Sequence, residues 1–172
     1  KYLRVSVTDR CNLRCKYCMP NGIECVEHKD ILSFEEIRQI AVCGARLGIT
    51  KIRLTGGEPL ARKGCPELIR MLKEIPGIEK IAMTTNGTLV RAILPELVEA
   101  GLDEINISLD TLDPGRFAAI TGQDLLPEVL LAIDAALAAG LKVKVNAVSM
   151  PDTDWKRLIT LAKDKPVDVR FI

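Results

Sequence analysis

Six short runs of branched apolar residues alternate with longer stretches of helical periodicity along the chain. This alternation predicts successive βα units around a parallel sheet. The predicted strands are Leu3–Thr8, Lys51–Thr55, Lys80–Thr85, Glu104–Leu109, Lys142–Val148 and Val167–Ile172. The first predicted helix runs from a capping box at Ser33 and Glu36 to about Gly48, and the others cover Cys65–Ile75, Ala92–Ala100, Pro127–Ala139 and Asp154–Lys163. The chain is therefore predicted to be an α/β protein.

Polar residues alternate with apolar ones along these strands, and the alternation continues into the residues that directly follow several of them. The set comprises Arg4, Ser6, Thr8, Arg53, Thr55, Thr84, Asn86, Asn106, Ser108, Asp110, Lys142, Lys144, Asn146, Asp168 and Arg170. Successive strand side chains point to opposite faces, whereas the interior of a closed barrel is usually filled by branched apolar residues. For any single strand, a solvent-facing edge position explains the pattern equally well. For all six, we favour a partial (βα)6 TIM-like barrel with a parallel sheet and a polar lumen.

The charges of this polar set suggest an anionic ligand. The net charge is only +1, so any attraction for an anion must come from local placement. The cations of the lumen set outnumber its acids, with Arg4, Arg53, Lys144 and Arg170 against Asp110 and Asp168. We therefore hypothesise that the lumen binds an anion.

Length and composition restrict the class of protein. A chain of 172 residues, 48% hydrophobic and 27% charged, is long enough for one domain with a sizeable core and short for two. Its apolar stretches fall well short of the roughly 20 residues of a spanning helix, and no secretory signal pattern is present. We expect a cytoplasmic protein that partners neither membrane nor nucleic acid. Both ends run through strand-like sequence, which indicates a piece of a longer protein.

Three cysteines, Cys11, Cys15 and Cys18, lie in the loop directly after the first predicted strand. This is the C-terminal face of the sheet, where βα enzymes place their active sites. Three thiolates within eight residues suit a soft metal site, and a disulfide is disfavoured in this compartment. Structural zinc usually has four ligands in two close pairs, and the second pair is absent. An iron–sulfur cluster with one open iron fits better, with zinc as the alternative.

These cysteines and a glycine-rich turn resemble a known superfamily. The spacing C-x3-C-x2-C with Tyr17 before the last cysteine, followed after the second strand by Thr-Gly-Gly-Glu-Pro at 55–59, is similar to the radical S-adenosylmethionine (SAM) superfamily. The resemblance implies that Cys11, Cys15 and Cys18 bind a 4Fe-4S cluster. Its open iron would bind SAM, whose reductive cleavage gives a 5′-deoxyadenosyl radical. Gly57 would allow close backbone approach and Glu58 would accept from the SAM ammonium.

A narrower resemblance covers most of the chain. The segments LRVSVTDRCN (3–12), KIRLTGGEPL (51–60), TTNG (84–87), NISLD (106–110), VKVN (143–146) and VRFI (169–172) are similar to the molybdenum cofactor biosynthesis protein A family, the GTP 3′,8-cyclases. The resemblance implies cyclisation of GTP in the first step of molybdenum cofactor biosynthesis. By matching positions, the SAM contacts are Tyr17, Gly57, Glu58 and Ser108, and the GTP contacts are Arg4, Arg53, Thr84 and Lys144. A basic, polar lumen is what a triphosphate requires.

The resemblance also implies parts that this chain lacks. The family carries a second 4Fe-4S cluster in its C-terminal portion, so residues 1–172 are expected to be the radical SAM core domain alone. An electron donor is expected as a partner, whereas the sequence indicates no oligomeric state. The other cysteines, Cys25, Cys43 and Cys65, lack the spacing of that cluster and are interpreted as core or incidental residues. A radical SAM peptide-modifying maturase, and a non-catalytic iron–sulfur or zinc module, are the alternative functions.

Overall fold

A computed structural model describes residues 1–18, 26–27, 30–151 and 153–172. The strands are β1 (Tyr2–Ser6), β2 (Lys51–Thr55), β3 (Lys80–Thr85), β4 (Glu104–Ser108), β5 (Lys142–Ala147) and β6 (Asp168–Phe171). The α-helices are α1 (Phe34–Arg46), α2 (Cys65–Lys73), α3 (Val90–Glu99), α4 (Pro114–Thr121), α5 (Leu126–Ala138) and α6 (Trp155–Asp164). A short 3-10 turn covers Pro59–Ala61.

All six strands form one parallel sheet in the order β1-β2-β3-β4-β5-β6. Each strand therefore pairs with the next one along the chain, as the βα alternation predicts. The strand order leaves β1 and β6 at opposite edges, so the sheet is not closed by pairing between them. The predicted partial barrel is confirmed.

The apolar core lies between the sheet and its helices. Ile52 and Leu54 of β2 and Ile105 and Ile107 of β4 are fully buried. They pack in one cluster with helix residues that include Ile37, Leu68, Leu72, Leu97, Val129, Ile133 and Leu158. Burying a side chain of this size stabilises a fold by about 1.5–3 kcal/mol, so this face holds the helices on the sheet. The opposite, polar face of the strands is left to line the lumen.

The amino-terminal end of β4 holds a buried acid that the sequence analysis did not single out. Glu104, at the start of β4, is 4% exposed and binds the ammonium of Lys51 at 2.6 Å and that of Lys80 at 3.8 Å. Burial raises the pKa of Glu104, but the hydrogen bond and charge of Lys51 together with the charges of Lys144 and Lys80 lower it more, so the net shift is downward. Glu104 therefore balances lysines at the amino-terminal ends of β2 and β3.

Helix α4 is absent from the sequence prediction, which has nothing between the fourth strand and Pro127. The helix is short and begins with Asp113, whose carboxylate accepts from the backbone N–H of Arg116, and with Pro114 at its first position. It ends at Gly122, whose φ of 78° is left-handed. Its capping pattern was a usable signal, but eight residues give too little hydrophobic periodicity to be recognised.

Among the described residues, no helix is long and apolar enough to cross a membrane.

Candidate functional site

The loop that carries the three cysteines crosses the carboxyl ends of the strands and is held there by α4. The backbone N–H of Arg14 donates to the carbonyl of Thr121 at 2.9 Å, and that of Lys16 donates to the carbonyl of Ile120 at 3.0 Å. Within the loop, the N–H of Cys18 donates to the carbonyl of Cys15. The last turn of α4 therefore fixes the middle of the cysteine loop, and the helix missed from sequence is part of the site.

The three thiols are free and close enough to influence one another. Burial, followed by the neighbouring Cys11, Asp110 and Cys18, raises the pKa of Cys15 to about 11. The Cys11 sulfur accepts from the N–H of Leu13 at 3.4 Å, yet burial still raises its pKa. The raised pKa values keep Cys11 and Cys15 protonated at neutral pH when no metal is bound, so binding iron must release their protons.

The donor set fits a polynuclear cluster. Among the described residues, no three cysteine, histidine, aspartate or glutamate side chains converge as ligands of a single metal ion. A 4Fe-4S cluster makes a different demand, because each thiolate binds a different iron atom. Cys11, Cys15 and Cys18 would hold three of the irons.

The glycine-rich turn after β2 packs directly on the cysteine loop. The N–H of Gly57 donates to the carbonyl of Thr8, and that of Glu58 donates to the carbonyl of Arg10, both at 2.7 Å. A Cβ added to Gly57 would lie 2.3 Å from the Arg10 carbonyl oxygen, far inside van der Waals contact. Glycine is therefore required at position 57 so that the two backbones can touch, and a SAM contact there is a separate prediction.

Glu58 points into the protein and is fully buried. One carboxylate oxygen accepts from the Thr85 hydroxyl at 2.7 Å and from the Leu60 N–H at 3.1 Å, and the other accepts from the Asn86 N–H at 2.7 Å. Burial raises the pKa of Glu58, although these three donors oppose the shift. The side chain ties the turn to the end of β3, and the predicted contact with the SAM ammonium stays a prediction.

Asn86, at the end of β3, extends this connection to the cysteine loop. Its side-chain amide donates to Asn12 Oδ1 at 2.9 Å and lies 3.8 Å from the Cys11 sulfur, while Thr88 donates to its oxygen. The sequence analysis noted Asn86 in a motif and gave it no role. Its position one residue beyond a strand, in the polar set, was the available signal.

Tyr17 is anchored by an acid that the sequence analysis considered and assigned no role. The Tyr17 hydroxyl donates to Asp110 Oδ2 at 2.6 Å, and the Val148 N–H donates to Asp110 Oδ1 at 2.8 Å. Burial, and then the hydrogen bond to Asp110, raises the pKa of Tyr17. Asp110 therefore joins the cysteine loop to the end of β5. Tyr17, Asp110, Ser108 and Cys15 line one small cavity of about 30 Å³.

A larger groove of about 510 Å³ occupies the lumen. It is lined by three of the four predicted GTP contacts and by the predicted SAM contact Ser108; its walls include Arg4, Arg53, Thr84, Ser108, Thr55 and Asn146. Ser108 lines both the groove and the small cavity, so the two predicted sites adjoin. The structure thus brings Arg4, Arg53 and Thr84 together with Ser108, and Tyr17 adjoins them through the small cavity. Gly57, Glu58 and Lys144 line neither space.

Lys144, the fourth predicted GTP contact, lies deeper than the other three. It is 7% exposed, and its backbone pairs with Asn106 on one side and Asp168 on the other. Burial, followed by the charge of Arg170, lowers the pKa of Lys144. An anion beside it would oppose both effects and stabilise the ammonium.

The radical SAM superfamily model matches residues 5–164. The chain belongs to the radical SAM superfamily. This membership confirms the expected cofactors of the core domain, a 4Fe-4S cluster and SAM. It also agrees with the order of the two motifs, the cysteine loop after β1 and the glycine-rich turn after β2.

Two curated relatives at high identity carry the same name. The chain is 49% identical over 176 residues to a GTP 3′,8-cyclase of Heliobacterium modesticaldum and 48% identical over 176 residues to one of Alkaliphilus oremlandii, with 99% of this chain covered in both. It covers 54% and 55% of those two proteins. The chain thus spans about half the length of the curated relatives it matches.

Solved structures share the fold at much lower identity. SuiB of Streptococcus suis bound to S-adenosylmethionine superposes with a TM-score of 0.82 at 21% identity, covering 99% of this chain and 39% of SuiB. Methylornithine synthase gives a TM-score of 0.74 at 20% identity, covering 99% of this chain and 52% of that protein. These likenesses support the partial barrel and say nothing about substrate.

The other cysteines have divergent surroundings. Cys65 opens α2, is 2% exposed and has its pKa raised to about 12 by burial, so its predicted core role is confirmed. Cys43 is exposed on α1, which agrees with an incidental residue and not with a core residue, the two roles that the sequence analysis allowed. Cys25 lies outside the described residues.

Proposed function

We propose that this chain is the core domain of a radical SAM GTP 3′,8-cyclase that acts in molybdenum cofactor biosynthesis. The observation that carries the proposal is the 48–49% identity to proteins of that name, which extends over 99% of the chain. The cation-lined groove beside the cysteine loop supports it, because a triphosphate needs several positive charges at close range. An uncharged substrate would give no reason for them.

In this proposal the two ends of the lumen have different tasks. Cys11, Cys15 and Cys18 hold the cluster, and Tyr17, Gly57, Glu58 and Ser108 form the SAM site around it. When bound, the cluster and SAM together supply a carbon radical that abstracts hydrogen, while the protein supplies orientation and exclusion of water. Glu58 and Gly57 also have a structural role there, because their hydrogen bonds hold the glycine-rich turn against the cysteine loop and the end of β3.

Arg4, Arg53, Thr84 and Lys144 would orient GTP below that site. Arg53 can bind two phosphate oxygens through its planar guanidinium, whereas Lys144 supplies a single ammonium held in the wall of β5. Fixing the phosphates at this level leaves the ribose directed at the carboxyl ends of the strands, where Ser108 faces the small cavity. The sugar carbon that loses hydrogen must lie there, next to the bound SAM.

The same proposal includes an electron donor, a second cluster and a cytoplasmic location. A reductant or electron donor protein delivers the electron that SAM cleavage consumes, and a second 4Fe-4S cluster lies in a C-terminal region outside this chain. The work is done in the cytoplasm, with neither membrane nor nucleic acid as partner.

The test is an anaerobic assay of the protein reconstituted with iron and sulfide. After reduction, SAM is added with and without GTP, and 5′-deoxyadenosine and GTP-derived products are quantified. We expect 5′-deoxyadenosine in the wild type, its loss in Cys15→Ala, and its retention in the matched control Cys43→Ala, whose thiol is exposed on α1. A product that appears only with GTP supports the cyclase.

Two results would overturn the proposal. SAM cleavage that proceeds equally with and without GTP, with no GTP-derived product from the full-length protein, removes the substrate and returns attention to a peptide-modifying maturase. A cluster-loaded protein that yields no 5′-deoxyadenosine would show a structural or electron-carrying centre.

A further inference from the structure

Asn106, in the middle of β4, has a side chain whose hydrogen-bonding groups are entirely unpaired. The residue is 1% exposed, and both Oδ1 and Nδ2 are buried with no hydrogen-bond partner. No other side chain among the described residues has two buried polar atoms in this state. Nearly all buried polar side chains in folded proteins are paired, so Asn106 requires an explanation.

The side chain faces the lumen and not the apolar core. Its neighbours along β4, Ile105 and Ile107, are fully buried among the helices, and strand side chains alternate between faces. Ser108, two residues further on the same face, lines both cavities of the site. Asn106 therefore lies directly below a predicted SAM contact.

The neighbouring strands place Asn106 directly between two of the predicted GTP contacts. Its backbone pairs with Thr84 of β3 on one side and Lys144 of β5 on the other. Two strands away in the same sheet, Nε of Arg53 on β2 is also buried without a partner. The unpaired groups thus belong to the same wall that carries the predicted GTP contacts.

A buried carboxamide without partners destabilises a fold, because each polar atom loses its water and gains nothing. An apolar residue of similar size would avoid that cost at this position. An unpaired carboxamide at this position is explained if its hydrogen-bond partner is a ligand that binds to the folded protein. A ligand held by Arg53 and Lys144 would bring polar groups of its own to the same wall of the lumen.

We propose that Asn106 is a further substrate contact, whose carboxamide hydrogen-bonds a ribose hydroxyl of the nucleotide in the lumen. A carboxamide offers one acceptor and one donor group, and a hydroxyl can accept and donate in return. Phosphate oxygens only accept hydrogen bonds, and the cationic side chains of the lumen already serve as their donors in the proposed site. The sugar is the part of GTP that must lie between the phosphate level and the SAM site. This inference rests on the proposed function.

The test measures nucleotide affinity in the anaerobically reconstituted protein, with GTP, 2′-deoxy-GTP and 3′-deoxy-GTP as the three probes. We expect the wild type to bind GTP about tenfold more tightly than at least one deoxy analogue, the effect of one lost hydrogen bond. Asn106→Leu is expected to bind GTP about tenfold more weakly and to lose that discrimination. Its melting temperature is expected to equal or exceed that of the wild type, because it removes two unpaired polar atoms.

Two further variants keep the test decisive. Asn106→Ser is small enough to fit without strain, too short to reach the sugar, and is expected to show the same loss of discrimination. Gln39→Leu removes an exposed amide from α1 and serves as the matched control, with unchanged affinity for all three nucleotides. Both variants are compared with the wild type in the same melting and binding assays.

The outcomes separate this inference from the function on which it rests. If the wild type binds GTP and discrimination is unchanged in both Asn106 variants, Asn106 does not contact the sugar and the inference is wrong. If the wild type binds no GTP at all, the proposed function fails together with the inference. A Leu variant that melts well below the wild type while retaining discrimination would show a purely structural amide.

Discussion

Replacing Glu58 by alanine separates its observed structural role from a direct role in binding SAM. The carboxylate is fully buried and accepts hydrogen bonds from the Thr85 hydroxyl and from the backbone N–H groups of Leu60 and Asn86. Alanine would leave all three donors without a protein acceptor. We therefore expect Glu58→Ala to destabilise the protein before any cofactor is bound.

The magnitude follows from the number of donors left unpaired. A buried donor that loses its partner costs about 1–3 kcal/mol, so three donors give at least about 3 kcal/mol even where water replaces part of the loss. For a chain of this size, each kcal/mol lowers the melting temperature by roughly 2–4 °C. The expected fall for Glu58→Ala is therefore roughly 6–12 °C or more.

The assay is thermal unfolding of the cofactor-free protein, followed by circular dichroism. Glu67→Ala is the matched control, because Glu67 is exposed on α2 and its only ion pair within the described part of the chain is with Arg70, one helical turn away. Such surface pairs contribute about 0–1 kcal/mol, so this control should melt close to the wild type. If Glu58→Ala also melts within about 2 °C of the wild type, the structural reasoning is refuted. Loss of SAM affinity in that variant would then point to a direct contact.

Asp110→Asn weakens the hydrogen bond that holds Tyr17 of the cysteine loop. We therefore expect a chelator to remove iron from the reconstituted variant roughly two- to tenfold faster than from the wild type, and an unchanged rate would contradict this role of Asp110. In Gly57→Ala the new Cβ meets backbone at 2.3 Å, so we expect iron incorporation per chain to fall sharply, and normal loading would show that the loop can move. Lys144→Ala should lower GTP affinity by about tenfold or more while sparing GTP-independent SAM cleavage, and equal loss of both would contradict the division of the lumen. Burial raises the pKa of Glu104, but its lysine neighbours together lower it more, so its contribution to stability is present above about pH 4.3 and is lost as the pH falls further. Melting temperatures of Glu104→Gln should therefore depend less on acid than those of the wild type, and parallel pH profiles would refute this.

The coupling of the site explains why several of these variants affect iron and substrate together. Glu58 connects the glycine-rich turn to Asn86, and Asn86 contacts Asn12 in the cysteine loop. On the other side, Asp110 connects Tyr17 of that loop to the end of β5, the strand that carries Lys144. The cysteine loop is therefore positioned by the same strands that line the groove.

Local patterns in the chain were sufficient to predict the strand order, the polar lumen and several of the residues that line it. The period of two along each strand identified Arg53, Thr84 and Ser108 as lumen residues, and the βα alternation implied sequential parallel pairing. These features depend on spacing within one element or on the succession of elements. They can therefore be predicted from the sequence before any long-range contact is known.

Contacts between distant segments depended on the folded chain. The sequence motif suggested that Glu58 would face SAM, whereas its three partners lie in a neighbouring strand and turn that bury it. Asp110 and Asn106 both stood in the polar set, yet one is paired with Tyr17 and the other has no partner. Periodicity determines which face of a strand a side chain occupies. Whether that side chain is paired, buried or available depends on residues up to 93 positions away, and only the packed sheet brings them together.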